Sequence, residues 1–401
     1  MTLATFGSYA AAYATPLARL ASDSNDPTWE TPYTALRATT TKEAMRAAGT
    51  YFTSPSLAKA LWDLVDLPLP DGAIVVDPAV GAGDLLLPSV TDHSVPDRGR
   101  PHSDKTTRPS YRINDTNPLF LQIAERRLAQ TGVIERSQIS SSNLDFLSGN
   151  FDLTNATHVV MNPPFFSIKA ERPWGRGSIN AAALFVERAL LDMQDGSVLL
   201  AILPDVLRSG TRYAKWRSSV SALGSIRALS TQDQFDHQTD VHTFLIKIEV
   251  GAAVPNSSWQ SSSDTKHTLQ EYCRVAVGPV VPHRDSHDGD EVAYVTARSL
   301  TAGIPLTRSF TGRLEYGPML LVNRTARPGD NPRVRVRRWT ATTPTAVENH
   351  LLIVKPNANS GVTIDDALRV LQSEHTRTFL DERIRCRHLT VTALKEIPWT
   401  N

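Results

Sequence analysis

Short apolar runs alternate with amphipathic stretches from residue 49 to residue 250. The apolar runs predict strands at Ala73–Asp77, Tyr111–Asp115, His158–Met161, Ser197–Leu203, Ile226–Ser230 and His242–Glu249. Helical spacing fills the gaps between the first four. Leu57, Leu61, Leu64 and Val65 fall on one face of a helix, with Ser54 as its N-cap and Pro55 at its first position. A second helix starts at Asn117-Pro118 and turns Leu121, Ala124 and Leu128 inward. Strand–helix–strand repetition predicts a Rossmann-like α/β unit, a mostly parallel, doubly wound sheet with helices on both faces.

Two segments interrupt the pattern. Pro88 to Ser110 is rich in Pro, Ser, Asp and Arg and reads as a long surface loop. Gly251 to Lys266 is serine-rich and reads as a linker or a mobile excursion. Beyond it the strands are shorter, turns are frequent, and a final helix is expected from about Asp365 to Phe379. This predicts a second, α+β domain. The expected division is an N-terminal helical extension at 1–48, a first domain at 49–258 and a second at 259–401.

Hydrophobic residues make up 41% of the 401 and charged residues 21%, enough for sizeable cores. Cys273 and Cys386 form neither a zinc spacing nor a disulfide framework, which fits a reducing cytoplasm. No apolar run approaches the ~18 residues of a membrane span, and Met1 to Leu20 lacks the layout of a secretion signal. The net charge of +1 says nothing about partners, but its distribution does. Arg308, Arg313, Arg324, Arg327, Arg333, Arg335, Arg337 and Arg338 are opposed locally only by Glu315 and Asp330. Such a stretch is either a solvated face or a surface for phosphates.

Candidate chemistry sits at the strand ends. Val75-Val76-Asp77-Pro78-Ala79-Val80-Gly81-Ala82-Gly83 ends a strand in an acid and enters a glycine turn. Gly81 and Gly83 permit a tight bend and close approach of a ligand, although a plain strand–turn–helix corner would look the same. Asp115 ends the second strand, placed to accept from both hydroxyls of a ribose. Asp145 follows as an acceptor for an adenine amino group, with Phe146 against the ring. The most specific string is His158 to Phe166, in which Met161-Asn162-Pro163-Pro164-Phe165 closes a strand. Two prolines stiffen the backbone and supply no N–H, so the Asn162 side chain and the Pro163 carbonyl present two acceptors. An exocyclic amino group has two donors, and Phe165 offers a face for stacking.

Taken in order, Tyr51-Phe52-Thr53-Ser54-Pro55, Asp77 to Gly83, Asp115, Asp145 and Asn162 to Phe165 resemble the amino-methyltransferase family of restriction–modification systems. The match is to its N6-adenine branch in the gamma-type order, over roughly residues 49–250. The resemblance implies S-adenosylmethionine (SAM) as cofactor and a flipped adenine of double-stranded DNA as substrate, with no metal. It implies that Thr53 contacts the methionine carboxylate, that Asp77, Pro78, Ala79, Val80, Gly81 and Gly83 line the methionine moiety, that Asp115 holds the ribose, and that Asp145 with Phe146 holds the adenine. Asn162 and Pro163 would bind the target amino group, Pro164 would border the cofactor, and Phe165 would stack on the base, with Phe235 as a second face.

The 259–401 domain resembles target-recognition domains more loosely, through Gly278 to His283, Leu321 to Arg324, Glu348 to Leu351 and Arg387 to Thr390. Arg324, Arg335 and Arg337 are its candidate DNA contacts. A separately encoded restriction endonuclease is the partner such an enzyme implies. The chemistry leaves open another amino nitrogen (protein glutamine, RNA guanine N2 or DNA cytosine N4) or a non-catalytic DNA-binding subunit. The insertion at 88–110 and Phe165 in place of the commoner Tyr depart from the family pattern.

Overall fold

A computed structural model describes residues 53–65, 67–91, 109–131, 134–148, 150–236, 239–251, 259, 267–302, 306–340, 342–385 and 387–400. The expected 1–48 extension, the inner part of the 88–110 insertion and most of the serine-rich stretch lie outside them. The chain forms two compact units that divide after Trp259, with the short Ser209–Thr211 segment grouped with the second.

The first unit contains β1 (Ile74–Asp77), β2 (Ser110–Asn114), β3 (Ile139–Ser142), β4 (His158–Met161), β5 (Ser167–Arg172), β6 (Gly175–Asn180), β7 (Val198–Pro204), β8 (Gly224–Asp236) and β9 (Thr239–Val250). Its helices are α1 (Pro55–Trp62), α2 (Leu87–Thr91), α3 (Pro118–Gln130), α4 (Ala181–Asp192), α5 (Asp205–Ser209) and α6 (Ala214–Leu223). Seven strands form one sheet in the order β3-β2-β1-β4-β7-β9-β8. From β3 to β7 they are parallel; β9 runs antiparallel to β7, and β8 to β9. This is the Rossmann-like fold read from the alternation of strands and helices.

Side-chain alternation divides the core between the two faces. Val75, Val160, Leu200 and Ile202 pack with Leu61 of α1 and with Leu121 and Ala124 of α3. Val76, Val159, Met161, Leu199 and Ala201 pack with Phe185 and Ala189 of α4 and Trp216 of α6. Both expected caps form. Ser54 Oγ accepts from Leu57 N at 3.3 Å, and Asn117 Oδ1 from Leu119 N at 3.0 Å. Helix α1 stops at Trp62, so Leu64 and Val65 reach the same core from the following turn.

Several elements differ from the sequence expectation. Pro88 lies in α2 and Ser110 opens β2, so both ends of the presumed 88–110 loop are regular structure. Strand β3, Ile-Ser-Ser-Ser, has no apolar run because it is the sheet edge and buries only Ile139. The β5–β6 hairpin, mostly exposed, also lacked an apolar signal. Trp259 is not a free linker residue. It packs near Trp216 and Phe244 and donates to Ser221 Oγ at 2.9 Å.

The second unit contains α7 (Leu269–Tyr272), β10 (Cys273–Val277), β11 (Glu291–Val295), α8 (Ala297–Ala302), β12 (Leu306–Ser309), β13 (Met319–Asn323), β14 (Val336–Trp339), β15 (Thr345–Val347), β16 (Leu351–Pro356), α9 (Ile364–Gln372), α10 (Glu374–Arg383) and α11 (Val391–Lys395). Its larger sheet is antiparallel, in the order β10-β16-β13-β14, and a smaller one runs β12-β11-β15. Leu320, Val322, Leu352 and Val354 pack on α9, α10 and α11. Met319, Leu321 and Ile353 pack the opposite face, against Val295 and Val347 of the smaller sheet. The single helix expected over 365–379 is broken at Ser373, which is extended and caps α10 by accepting from Thr376 N at 3.1 Å. Among the described residues no helix is long and apolar enough to cross a membrane.

Candidate active site

The strand order reverses between β1 and β4, which opens a crevice at the carboxyl ends of the parallel strands. The register Val76 opposite Val159 brings Asp77 and the Met161-Asn162 tip to the same edge. Asp77 is buried, and its Oδ1 accepts from Ala79 N at 3.0 Å. Burial pushes its carboxyl up to about 8; the Ala79 N–H opposes the shift and the nearby Asp115 charge adds to it.

Asp115 lies just past β2. Its Oδ2 accepts from Gly81 N at 2.9 Å and its Oδ1 from Asn117 N at 2.8 Å. Burial raises it to about 6, against the pull of the Asn117, Gly81 and Thr116 N–H groups. Each carboxylate oxygen has a second lone pair, so accepting these bonds does not exhaust Asp115. Gly81 sits at φ 54°, which its turn requires. Gly83 packs closely on helix α3, where an added Cβ would lie 3.2 Å from Ala124. The turn is tied to the same helix by Arg127, which pairs with Asp84 at 2.8 Å and donates to Ala82 O at 2.6 Å. Pro78 and Val80 are buried and Ala79 half-buried.

Asn114, 1% exposed, holds these loops together and was not singled out from the sequence. Its Nδ2 donates to Pro78 O at 3.0 Å and Leu144 O at 2.9 Å, while its Oδ1 accepts from Leu144 N at 3.0 Å and Ser142 Oγ at 2.8 Å. An amide closing β2 right before Asp115 was the available signal, since a buried carboxamide needs partners for all its groups.

Asp145 follows directly, exposed, with Oδ1 accepting from Leu147 N at 2.9 Å. Phe146 is not beside it in the crevice. It is 1% exposed, its ring centroid 5.0 Å from that of Phe185 and 5.9 Å from that of Phe151, with Arg188 4.3 Å above the ring. A ring enclosed this way has no face for a cofactor, so the placement of Phe146 against adenine is corrected. At successive positions in a short turn, one side chain faces solvent and the next faces the core.

At the tip of β4, Asn162 Nδ2 donates to Thr53 Oγ1 at 3.1 Å. Thr53, one residue before the Ser54 cap of helix α1, is buried and meets the Asn-Pro-Pro-Phe string directly. A carboxamide that gives its nitrogen to Thr53 turns its oxygen the other way. Pro163 is buried, and Pro164 and Phe165 are half-buried. The Phe165 carbonyl accepts from Asn180 Nδ2 at 3.0 Å, and Asn180 Oδ1 caps α4 by accepting from Ala182 N at 3.0 Å. The β5–β6 hairpin thus returns the chain to the loop it left, and Asn180 fixes both. Sequence reading missed Asn180 because the hairpin itself was not foreseen.

Phe235 belongs to β8, and its side chain lies outside the described residues. The arginine-rich stretch does not form one face. Arg308 and Arg333 are buried, the first on Asp285 O at 2.5 Å, the second on Ile384 O and Asp381 at 2.9 Å each. They are structural, which corrects the reading of the whole stretch as one basic surface. Arg324 donates to Asn349 O at 3.1 Å; Arg335 and Arg337 are exposed, with Arg335 3.6 Å from Asp330. Among the described residues no group of three His, Cys, Asp or Glu could hold a metal ion.

One edge of a doubly wound sheet thus carries Asp77, Asp115 and the Asn162 carboxamide. No family model matches the sequence, and no curated protein does. Solved structures are similar to it at a distance. A type I restriction–modification methyltransferase subunit from Streptococcus thermophilus shares 20% identity over 50% of this chain and 45% of its own, with a TM-score of 0.40. The EcoKI M protein of a type I restriction enzyme shares 17% over 60% and 54%, at 0.40. The type IIG restriction endonuclease BpuSI shares 14% over 88% and 59%, at 0.45. The chain therefore spans about half the length of the two methyltransferase subunits. Likenesses this distant transfer no activity.

Proposed function

We propose that the chain transfers the methyl group of SAM to the exocyclic N6 of an adenine flipped out of duplex DNA. On this reading the second unit selects the sequence, through Arg324, Arg335 and Arg337 among others. The observation that carries the proposal is the Thr53–Asn162 hydrogen bond at the tip of β4, on the same sheet edge as Asp77 and Asp115.

The residues at that edge fit the cofactor. Asp115 keeps lone pairs for ribose hydroxyls, and Asp145 stands exposed one residue beyond the Asn114 clamp, where it can accept from an adenine amino group. Asp77 with Pro78 to Gly81 forms the turn for the methionine end. SAM, when bound, supplies an electrophilic methyl group.

The chain's own residues prepare the nucleophile. An exocyclic amino nitrogen is flat because its lone pair is shared with the ring. Asn162 Oδ1 and the Pro163 carbonyl accept its two hydrogens, which favours a pyramidal nitrogen with a localised lone pair. Thr53 holds the Asn162 carboxamide in the orientation this needs. Phe165 supplies a stacking face that offsets part of the cost of flipping, a few kcal/mol. Positioning and preorganised dipoles then carry the rate, with no covalent intermediate on the protein. As the modification arm of a restriction system, the chain would protect its sites from a separately encoded endonuclease.

The test uses the full chain with labelled SAM and duplex DNA, followed by nucleoside analysis. N6-methyladenine is expected. Asn162→Ala should abolish transfer while SAM affinity by calorimetry stays within a few-fold. Label on cytosine N4 or on protein, or an active Asn162→Ala variant, would refute the assignment.

A further inference from the structure

In the second unit, β10 and β16 place Arg274 directly opposite Lys355. Like charges facing one another across an antiparallel pair destabilise it. One buried carboxylate compensates. Glu315, 4% exposed, pairs with Arg274 and with Arg313, and lies 3.8 Å from Lys355. Its main chain is anchored as well, exchanging two hydrogen bonds of 2.9 Å with Thr345 at the start of β15. Burial alone would raise its carboxyl; the guanidinium groups of Arg313 and Arg274 outweigh that and hold it below the ordinary range.

The cluster therefore carries three cations and one anion, and among the described residues no second carboxylate pairs with them. The two arginines remain reachable, Arg313 at 56% exposed and Arg274 at 42%, and Lys355 is partly so at 24%. Beside them Tyr316 stands 58% exposed, its carbonyl accepting from the Lys355 ammonium. Arg274 and Lys355 project from the sheet face opposite α9–α11, since their neighbours Cys273, Val275 and Val354 pack on those helices. Arg337 is on that same face, opposite Leu321 in β13.

A fold that keeps opposed cations in register and neutralises only part of their charge has left a site for an external anion. We propose that Arg274, Arg313 and Lys355, fixed by Glu315 and flanked by Tyr316, form a docking surface for the phosphate backbone of duplex DNA. This deepens the functional reading above and rests on it. The surface positions without reading sequence, because phosphate contacts carry no base information. The excess charge of +2 corresponds to about two neutralised phosphates, each contributing about 0.9 to the slope of log affinity against log salt.

The experiment measures affinity of the full chain for a fluorescent duplex of arbitrary sequence across a salt series. The double variant Arg274→Gln/Lys355→Gln should flatten the slope by about 2 and weaken low-salt binding roughly tenfold or more, equally for unrelated sequences. Lys355→Gln alone, which relieves the like-charge opposition without emptying the cluster, should flatten it by about 1. A control double, Arg369→Gln/Arg377→Gln, removes the same charge from exposed pairs on α9 and α10 and should leave the slope nearly unchanged. An unchanged slope in the first pair, or equal flattening in both, overturns the proposal. So does displacement of the duplex by polyglutamate at matched charge concentration, which would indicate an acidic protein partner. SAM binding is measured on the same samples. Its loss in the unmodified chain would sink the methyltransferase reading while leaving the salt slopes to decide the docking surface separately.

Discussion

Asp77→Asn tests the electrostatics of the crevice. In the fold the Asp77 carboxyl is held up to about 8, against 3.8 ordinarily. A carboxyl whose pKa rises on folding takes up a proton between those values. Its contribution to stability is therefore intact below about pH 4 and is lost progressively as pH climbs to about 8. One pKa unit corresponds to about 1.4 kcal/mol, so between pH 5 and pH 7 folding should lose about 3 kcal/mol through this group. Asparagine carries no titratable proton, and its Oδ1 can still accept from Ala79 N. Any fixed cost of the new amide is independent of pH, so the change in the gap between the two proteins is diagnostic. At ~2–4 °C per kcal/mol for a unit of this size, the variant's melting temperature should gain roughly 6–12 °C on the parent between pH 5 and pH 7. Differential scanning calorimetry of both proteins at the two pH values gives the answer. A gap that stays constant would mean that Asp77 ionises normally and that burial does not dominate its environment.

Two further outcomes follow from the same geometry. Asp115 is raised to about 6, and its charged form is the better acceptor for ribose hydroxyls. SAM affinity should hold above that value and fall as pH drops through it, and calorimetry of Asp115→Ala should show weak affinity with no such step. Thr53→Val preserves shape but removes the acceptor for Asn162 Nδ2. Turnover should fall about tenfold or more, since a lost hydrogen bond in a buried site costs about 1–3 kcal/mol, and undiminished turnover would refute the role; a parallel fall in SAM affinity would add the methionine-carboxylate contact that the resemblance implies.

What could be read from the sequence was whatever depends on neighbours along the chain. The buried parallel strands are continuous apolar runs because both their faces meet helices, so β1, β4 and β7 were recognisable from composition alone. Ser54-Pro55 and Asn117-Pro118 cap helices by contacts two or three residues away, and both caps formed where expected. The Asn162 to Phe165 string was visible because its chemistry needs contiguous residues. Strand β3 and the β5–β6 hairpin were not, since edges and exposed hairpins bury too little to leave a period. Phe146 was misplaced because a ring that follows a ligand-like acid can equally point inward, and only the surrounding Phe151, Phe185 and Arg188 decide it.

The sequence by itself determined the alternation of strands and helices, the caps and the acids at strand ends, because hydrophobic period and local hydrogen bonding are short-range properties. Only the tertiary structure decided that Thr53 meets Asn162, that Asn114 clamps the acidic loops, that Arg308 and Arg333 are interior, and that Glu315 gathers Arg274, Arg313 and Lys355. Those partners lie tens of residues apart in most cases, and their pairing is set by strand register and packing, which no local pattern encodes.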